Sequence, residues 1–79
     1  MARPLFEIAR DIRKDWKTLN TAGYAAKPYL EAMETLTSVD ENYIFDSGKS
    51  IVLYFLSNAS SWRGEVAKAI KAELKAMVK

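Results

Sequence analysis

The chain contains no cysteine and no histidine. It therefore forms no disulfide, zinc finger or iron–sulfur cluster, and nucleophilic or acid–base catalysis is left with Ser–Lys and carboxylate mechanisms. Glycine and proline are scarce, three and two residues among 79, and no repeat or low-complexity tract divides the sequence. No apolar run approaches the roughly 20 residues that cross a bilayer. Nor does a hydrophobic segment follow Met1-Ala2-Arg3. The expectation is a cytoplasmic protein without a membrane span or signal peptide.

What is present is the composition of a folded domain, 49% hydrophobic and 28% charged. A chain of this length buries only about 60% of its unfolded surface, so residues 1–79 make one core and one domain. The net charge of +2 is unevenly spread. Residues 1–20 carry five basic and three acidic groups, residues 21–50 two and five, and residues 51–79 five and two. The ends are basic and the middle acidic, which favours packing of opposite segments or separate partners for each.

The central run Ile51-Val52-Leu53-Tyr54-Phe55-Leu56 points in every direction if helical, at about 100° per residue. It predicts a helix over about 47–59, capped by Asp46 or Ser47, that is buried at the centre of the fold or lends part of its girth to another chain. A β-hairpin is the competitor, with Tyr43-Ile44-Phe45 and Ser50 to Leu56 as strands around Asp46-Ser47-Gly48-Lys49. The first strand is too short and the second lacks alternation, so the helix is preferred.

Leu5, Ile8, Ile12, Trp16 and Leu19 recur at three or four residues and predict a first helix, with Pro4 in its first turn and Asn20 or Gly23 as a left-handed stop. Pro28 opens a short helix to about Ser38. Residues 39–45 are mostly irregular, although Ser38 and Glu41 resemble a capping box. Ser60 or Ser61 is expected to cap the last helix, whose stripe is Trp62, Val66, Ile70, Leu74 and Met77. The expected architecture is all-α: a compact bundle of three main helices plus one short helix, the first and last packed across the buried central one.

Motifs for chemistry are weak. Gly48-Lys49-Ser50 suggests a phosphate loop, but the glycine required five residues earlier is Tyr43, so a capped helix start is the better reading. No Ser-x-x-Lys pair exists. Asp11 with Asp15, and Glu31 with Glu34, share helix faces among basic neighbours and read as solvated surface rather than a metal loop. No enzyme, cofactor or metal is expected.

Two binding classes remain. Arg10, Arg13, Lys14 and Lys17 on the first helix, with Arg63, Lys68, Lys71 and Lys75 on the last, would form one nucleic-acid surface if these helices lie side by side. Glu7, Asp11, Asp15, Glu65 and Glu73 weigh against it, and a helix-turn-helix around Gly23 would place Pro28 inside the recognition helix. The second class is protein binding. Nine aromatics exceed what a narrow core hides. Trp16 and Trp62 belong to the core, while Tyr24, Tyr29 and Tyr43 with Glu31, Glu34, Asp40 and Glu41 form the preferred contact surface. A homodimer is also expected, with Tyr54 or Phe55 at the subunit contact.

Pro28-Tyr29-Leu30-Glu31-Ala32-Met33, Ser61-Trp62-Arg63-Gly64-Glu65 and Ile70-Lys71-Ala72-Glu73-Leu74-Lys75 resemble short helical proteins carried by phages and mobile elements. The resemblance extends over most of the chain and brings no functional residue with it. It implies an accessory protein that acts by binding, such as an inhibitor of a host factor. The expected function is noncatalytic modulation of a macromolecular partner, preferably a protein and alternatively a nucleic acid.

Overall fold

The computed structural model describes residues 3–19, 21, 23–43 and 46–78, with the backbone alone for Tyr43. Asn20 of the expected stop, Ile44 and Phe45 of the alternative strand, and Lys79 lie outside the described residues. The described chain is helical apart from one minimal β pairing. Its elements are α1 (Leu5–Asp15), a 3-10 turn (Tyr24–Ala26), α2 (Lys27–Met33), β1 (Asn42–Tyr43), β2 (Asp46–Ser47), α3 (Gly48–Ser57) and α4 (Glu65–Met77).

Ser47 decides between helix and hairpin. Its Oγ accepts the Ser50 N–H at 3.1 Å and caps α3, so the Ser50–Leu56 run is helical. Strand pairing is confined to Asn42 opposite Ser47 and Tyr43 opposite Asp46.

Helix α1 buries Leu5, Ile8, Ala9 and Ile12 along one stripe. It ends earlier than its apolar repeat suggests, because Trp16 leaves helical geometry at φ −86°, ψ 88°. Trp16 and Leu19 are buried from the following turn instead. Gly23 is not the left-handed stop: its φ is −93°. It is needed for space, since a Cβ there would run into the Trp16 ring.

Helix α2 stops at Met33 rather than near Ser38, and the chain turns back through residues 34–41. This irregular segment caps two other helices. The N–H groups of Leu5 and Phe6 donate to the carbonyls of Thr37 and Leu36, both at 3.0 Å, and those of Gly48 and Lys49 donate to Glu41 and Val39 at 2.6 and 3.0 Å. The first donors of α1 and α3, which have no partner within their own helices, are thereby satisfied. The capping-box pair acts one residue out of register: Glu41 accepts from the Thr37 N–H at 2.9 Å, and Ser38 Oγ from the Asp40 N–H at 3.1 Å.

Helix α4 starts at Glu65, after Gly64 at φ 115°, ψ 178°, and not behind Ser60 or Ser61. Trp62 belongs to the preceding loop, its N–H bonded to the Ala59 carbonyl at 3.1 Å.

The four helices form a closed ring in which α1 packs on α2 and α4, and α3 packs on the same two. A radius of gyration of 11.2 Å is that of one folded core of this length. At its heart Trp16 and Trp62 stack at 5.6 Å, and Phe55 meets both rings edge-on at 6.2 and 6.4 Å. The ring arrangement corrects the expectation of a centrally buried helix. Helix α3 hides Ile51, Val52 and Phe55, but Leu53 and Tyr54 are 45% and 50% exposed.

Candidate functional site

Two surfaces stand apart from the core. The first is the edge where α2 meets α3. The packing of α2 on α3 brings Tyr29 and Tyr54 together, their ring centroids 5.4 Å apart and tilted by 30°. Tyr29 is half-buried against the core and Tyr54 lies over it at the surface, with exposed Leu53 beside it. On the outer side of α2, Tyr24, Lys27, Pro28 and Glu31 line a shallow hollow of about 180 Å³. Tyr24, 69% exposed, is the most exposed of the described large hydrophobic side chains.

The residues expected to form one protein-contact surface divide among several tasks. Tyr24 and Glu31 share the hollow, and Tyr29 sits at the seam with Tyr54. Glu34 accepts two hydrogen bonds from Arg13, at 2.8 and 2.9 Å, linking α2 to α1. Glu41 is a backbone acceptor in the capping segment, Asp40 is exposed in the same turn, and the Tyr43 side chain lies outside the described residues. Of the two expected dimer residues, Phe55 is fully buried against Trp16 and Trp62 and has no surface to offer a second copy; Tyr54 does. Exposed Phe6 and Leu53 were not anticipated. Phe6 stands one residue off the α1 stripe, and an aromatic so placed is the signal that would have found it.

The second surface involves α1 and α4, which pack against each other. Their bases do not merge. The sides that meet form a groove of about 430 Å³ with an apolar floor of Val66, Ala69 and Ile70 and a rim of Arg3, Asp11, Lys14 and Asp15. Arg3 ties the rim together: it donates to both carboxylate oxygens of Glu73, at 2.9 and 3.0 Å, and to Asp11 at 2.6 Å. Hydrogen bonding to Glu73 and then Asp11 holds its guanidinium more basic than an ordinary arginine. Asp15 accepts the Trp62 indole N–H at 2.8 Å. Asp11 and Asp15 are therefore structural acceptors rather than merely solvated charges.

The eight expected nucleic-acid residues separate accordingly. Arg13 is committed to Glu34, whose hydrogen bonds raise its pKa, and Lys14 stands at the rim beside Asp11 and Asp15. Arg10 is exposed on α1, and Lys17 is exposed in the turn that follows it. On α4, Lys68, Lys71 and Lys75 follow at three and four residues on the side opposite the groove-lining strip of Val66, Ala69 and Ile70. Arg63 precedes them in the loop.

A phosphate loop at Gly48-Lys49-Ser50 is ruled out by hydrogen bonding. The N–H groups of all three residues are occupied, by Glu41, Val39 and Ser47. A Cβ on Gly48 would lie 2.8 Å from the Ser38 carbonyl oxygen, so its glycine serves close packing instead. Among the described residues no group of three or more Asp or Glu is placed to hold a metal ion, and no helix is long and apolar enough to cross a membrane. Compared with protein families, with curated proteins and with solved structures, the chain matches none.

Proposed function

We propose that this protein is a noncatalytic accessory factor that binds and modulates a protein partner through the α2–α3 edge. The observation that carries the reading is the half-exposed Tyr54, its ring held against Tyr29 at 5.4 Å and flanked by exposed Leu53. A tyrosine already fixed by a neighbouring ring loses little freedom on binding, and it offers apolar area with a polar tip. In this reading α1, α3 and α4 are the main helices, the shorter α2 supplies the edge, and α3 becomes covered on most sides only in the complex. Tyr24, Lys27 and Glu31 form an aromatic flank of mixed charge beside that edge. The protein works in the cytoplasm, and inhibition of a host factor by a phage or mobile-element product is the form of modulation that the sequence resemblance implies.

The test is affinity capture from native-host lysate after nuclease treatment, with wild type beside Leu53→Ser and Tyr54→Ala. A discrete protein retained by the wild type and lost in both variants, with each variant still melting cooperatively within about 8 °C of wild type, is the expected result. Capture that survives both substitutions removes the α2–α3 edge as the contact. Light scattering on the same samples addresses self-association: a wild-type dimer that the Leu53→Ser change dissociates would assign this edge to a second copy.

A further inference from the structure

The Arg63, Lys68, Lys71 and Lys75 ridge plays no part in the α2–α3 edge, and its three lysines follow along one side of α4. The ion pairs among the described residues are made by Arg3, which holds Glu73 and Asp11, and by Arg13, which holds Glu34. Along the ridge, among the described residues, none of the four cations has a carboxylate within ion-pair distance. Of the acids on α4, Glu73 is turned away to Arg3, and Glu65 lies in the first turn.

Lys71 is fixed rather than free. Its Nζ donates to the Trp62 carbonyl at 2.6 Å and lies 5.8 Å from the centre of the Trp62 ring. This draws the ammonium back toward the start of α4, beside Arg63, while Lys75 stands one turn further on. Burial first, and then the repulsion of Lys75 and Arg63, lowers its pKa. The chain holds like charges together here without an internal counterion, an arrangement that an external anion relieves.

We infer that this outer face of α4 is a binding surface for the sugar–phosphate backbone of a nucleic-acid duplex. From Lys68 to Lys75 the helix rises about 10 Å, enough to meet about three successive phosphates of one strand, which advance about 3.4 Å each along the duplex axis. Trp62, the ridge's aromatic neighbour, is buried, so it offers no ring on which an unpaired base would stack. Contact is with phosphates and carries no base sequence. Helix α1 does not take part, because its groove-facing side is acidic and Arg13 is already paired.

The test is fluorescence anisotropy with a labelled DNA duplex of about 20 base pairs, titrated at salt from about 50 to 200 mM. Wild type should bind with a log–log salt slope of about −3, the release expected for three to four neutralised phosphates. Lys68→Gln with Lys75→Gln should make the slope shallower by about two and weaken binding at low salt, while Arg10→Gln with Lys17→Gln leaves both unchanged. Both pairs replace exposed side chains, and a circular-dichroism melt verifies that each variant is folded. Absence of binding at the lowest salt overturns the inference. So does an equal loss in the Arg10 and Lys17 pair, or tighter binding to a single strand of the same length.

Discussion

Tyr54 and Phe55 are adjacent aromatics on one helix, and they meet opposite fates. Phe55 is wholly buried, edge-on to Trp16 and Trp62, whereas Tyr54 is half exposed over Tyr29. The 100° between them is the boundary between two regions. On the closed side α3 faces the ring of helices; on the open side it has α2 at its flank and solvent above. An apolar run that looks uniform in sequence is thus half structural and half available for contact, and ring closure by only four helices is what divides it.

The largest effect should come from exchanging the two sides. Phe55→Ala leaves a cavity beside the stacked tryptophans and should cost about 3–5 kcal/mol. At about 4–8 °C of melting temperature per kcal/mol for a domain of this size, that amounts to most of a marginal domain's stability. Tyr54→Ala, on the open side, should cost about 1 kcal/mol, roughly the value of its contact with Tyr29. Paired thermal melts check both. Equal losses would mean that Tyr54 is part of the core and that the open side does not exist.

Gly48 and Lys49 make a second adjacent pair, at the start of the same helix. A methyl group on Gly48 would press on the Ser38 carbonyl oxygen at 2.8 Å and the Val39 Cα at 2.9 Å, both backbone atoms with little room to yield. Overpacking of about 1–3 kcal/mol should therefore outweigh the roughly 1 kcal/mol that alanine gains over glycine in a helix. Lys49→Ala, one residue away and exposed, should change stability by less than about 0.5 kcal/mol. Urea denaturation of the two variants measures this. A stabilised Gly48→Ala would show that the capping segment is not held against α3.

The same division explains what could be read from the sequence. The all-α class, the Ser47 cap and the core placement of Trp16 and Trp62 follow from periodicity and side-chain chemistry, which are local. The role of residues 34–41 was not legible, because a carbonyl that accepts from another helix's first N–H leaves no trace in residue type. Helix α4 began later than its stripe suggested for a related reason. Trp62 continues the apolar spacing, but Gly64 at φ 115° breaks the backbone between it and the helix. The candidate surfaces were half visible. Tyr24 and the α4 lysines could be named, yet their separation from Glu34 and Arg13 depends on the Arg13–Glu34 ion pair, which spans 21 residues. The choice between Tyr54 and Phe55 stays open in the sequence, because a run without periodicity cannot say which of two neighbours faces inward.

The smallest effect tests the boundary on α4, where Lys71 leans on the buried Trp62 while Lys68 and Lys75 stand clear. Burial and its basic neighbours lower the Lys71 pKa from its ordinary 10.5. As pH rises toward that value the folded chain releases this proton before the unfolded chain does. The unfolded state then holds more protons, and the contribution of Lys71 to stability rises with pH. The melting temperature of wild type minus that of Lys71→Gln should therefore increase between neutral pH and about 10.5. The increase should be small, since water screens a side chain that is only partly covered. A difference that stays constant or falls would place the ammonium in solvent, away from Trp62. The ridge would then be four independent surface charges rather than one in which Lys71 is held in place.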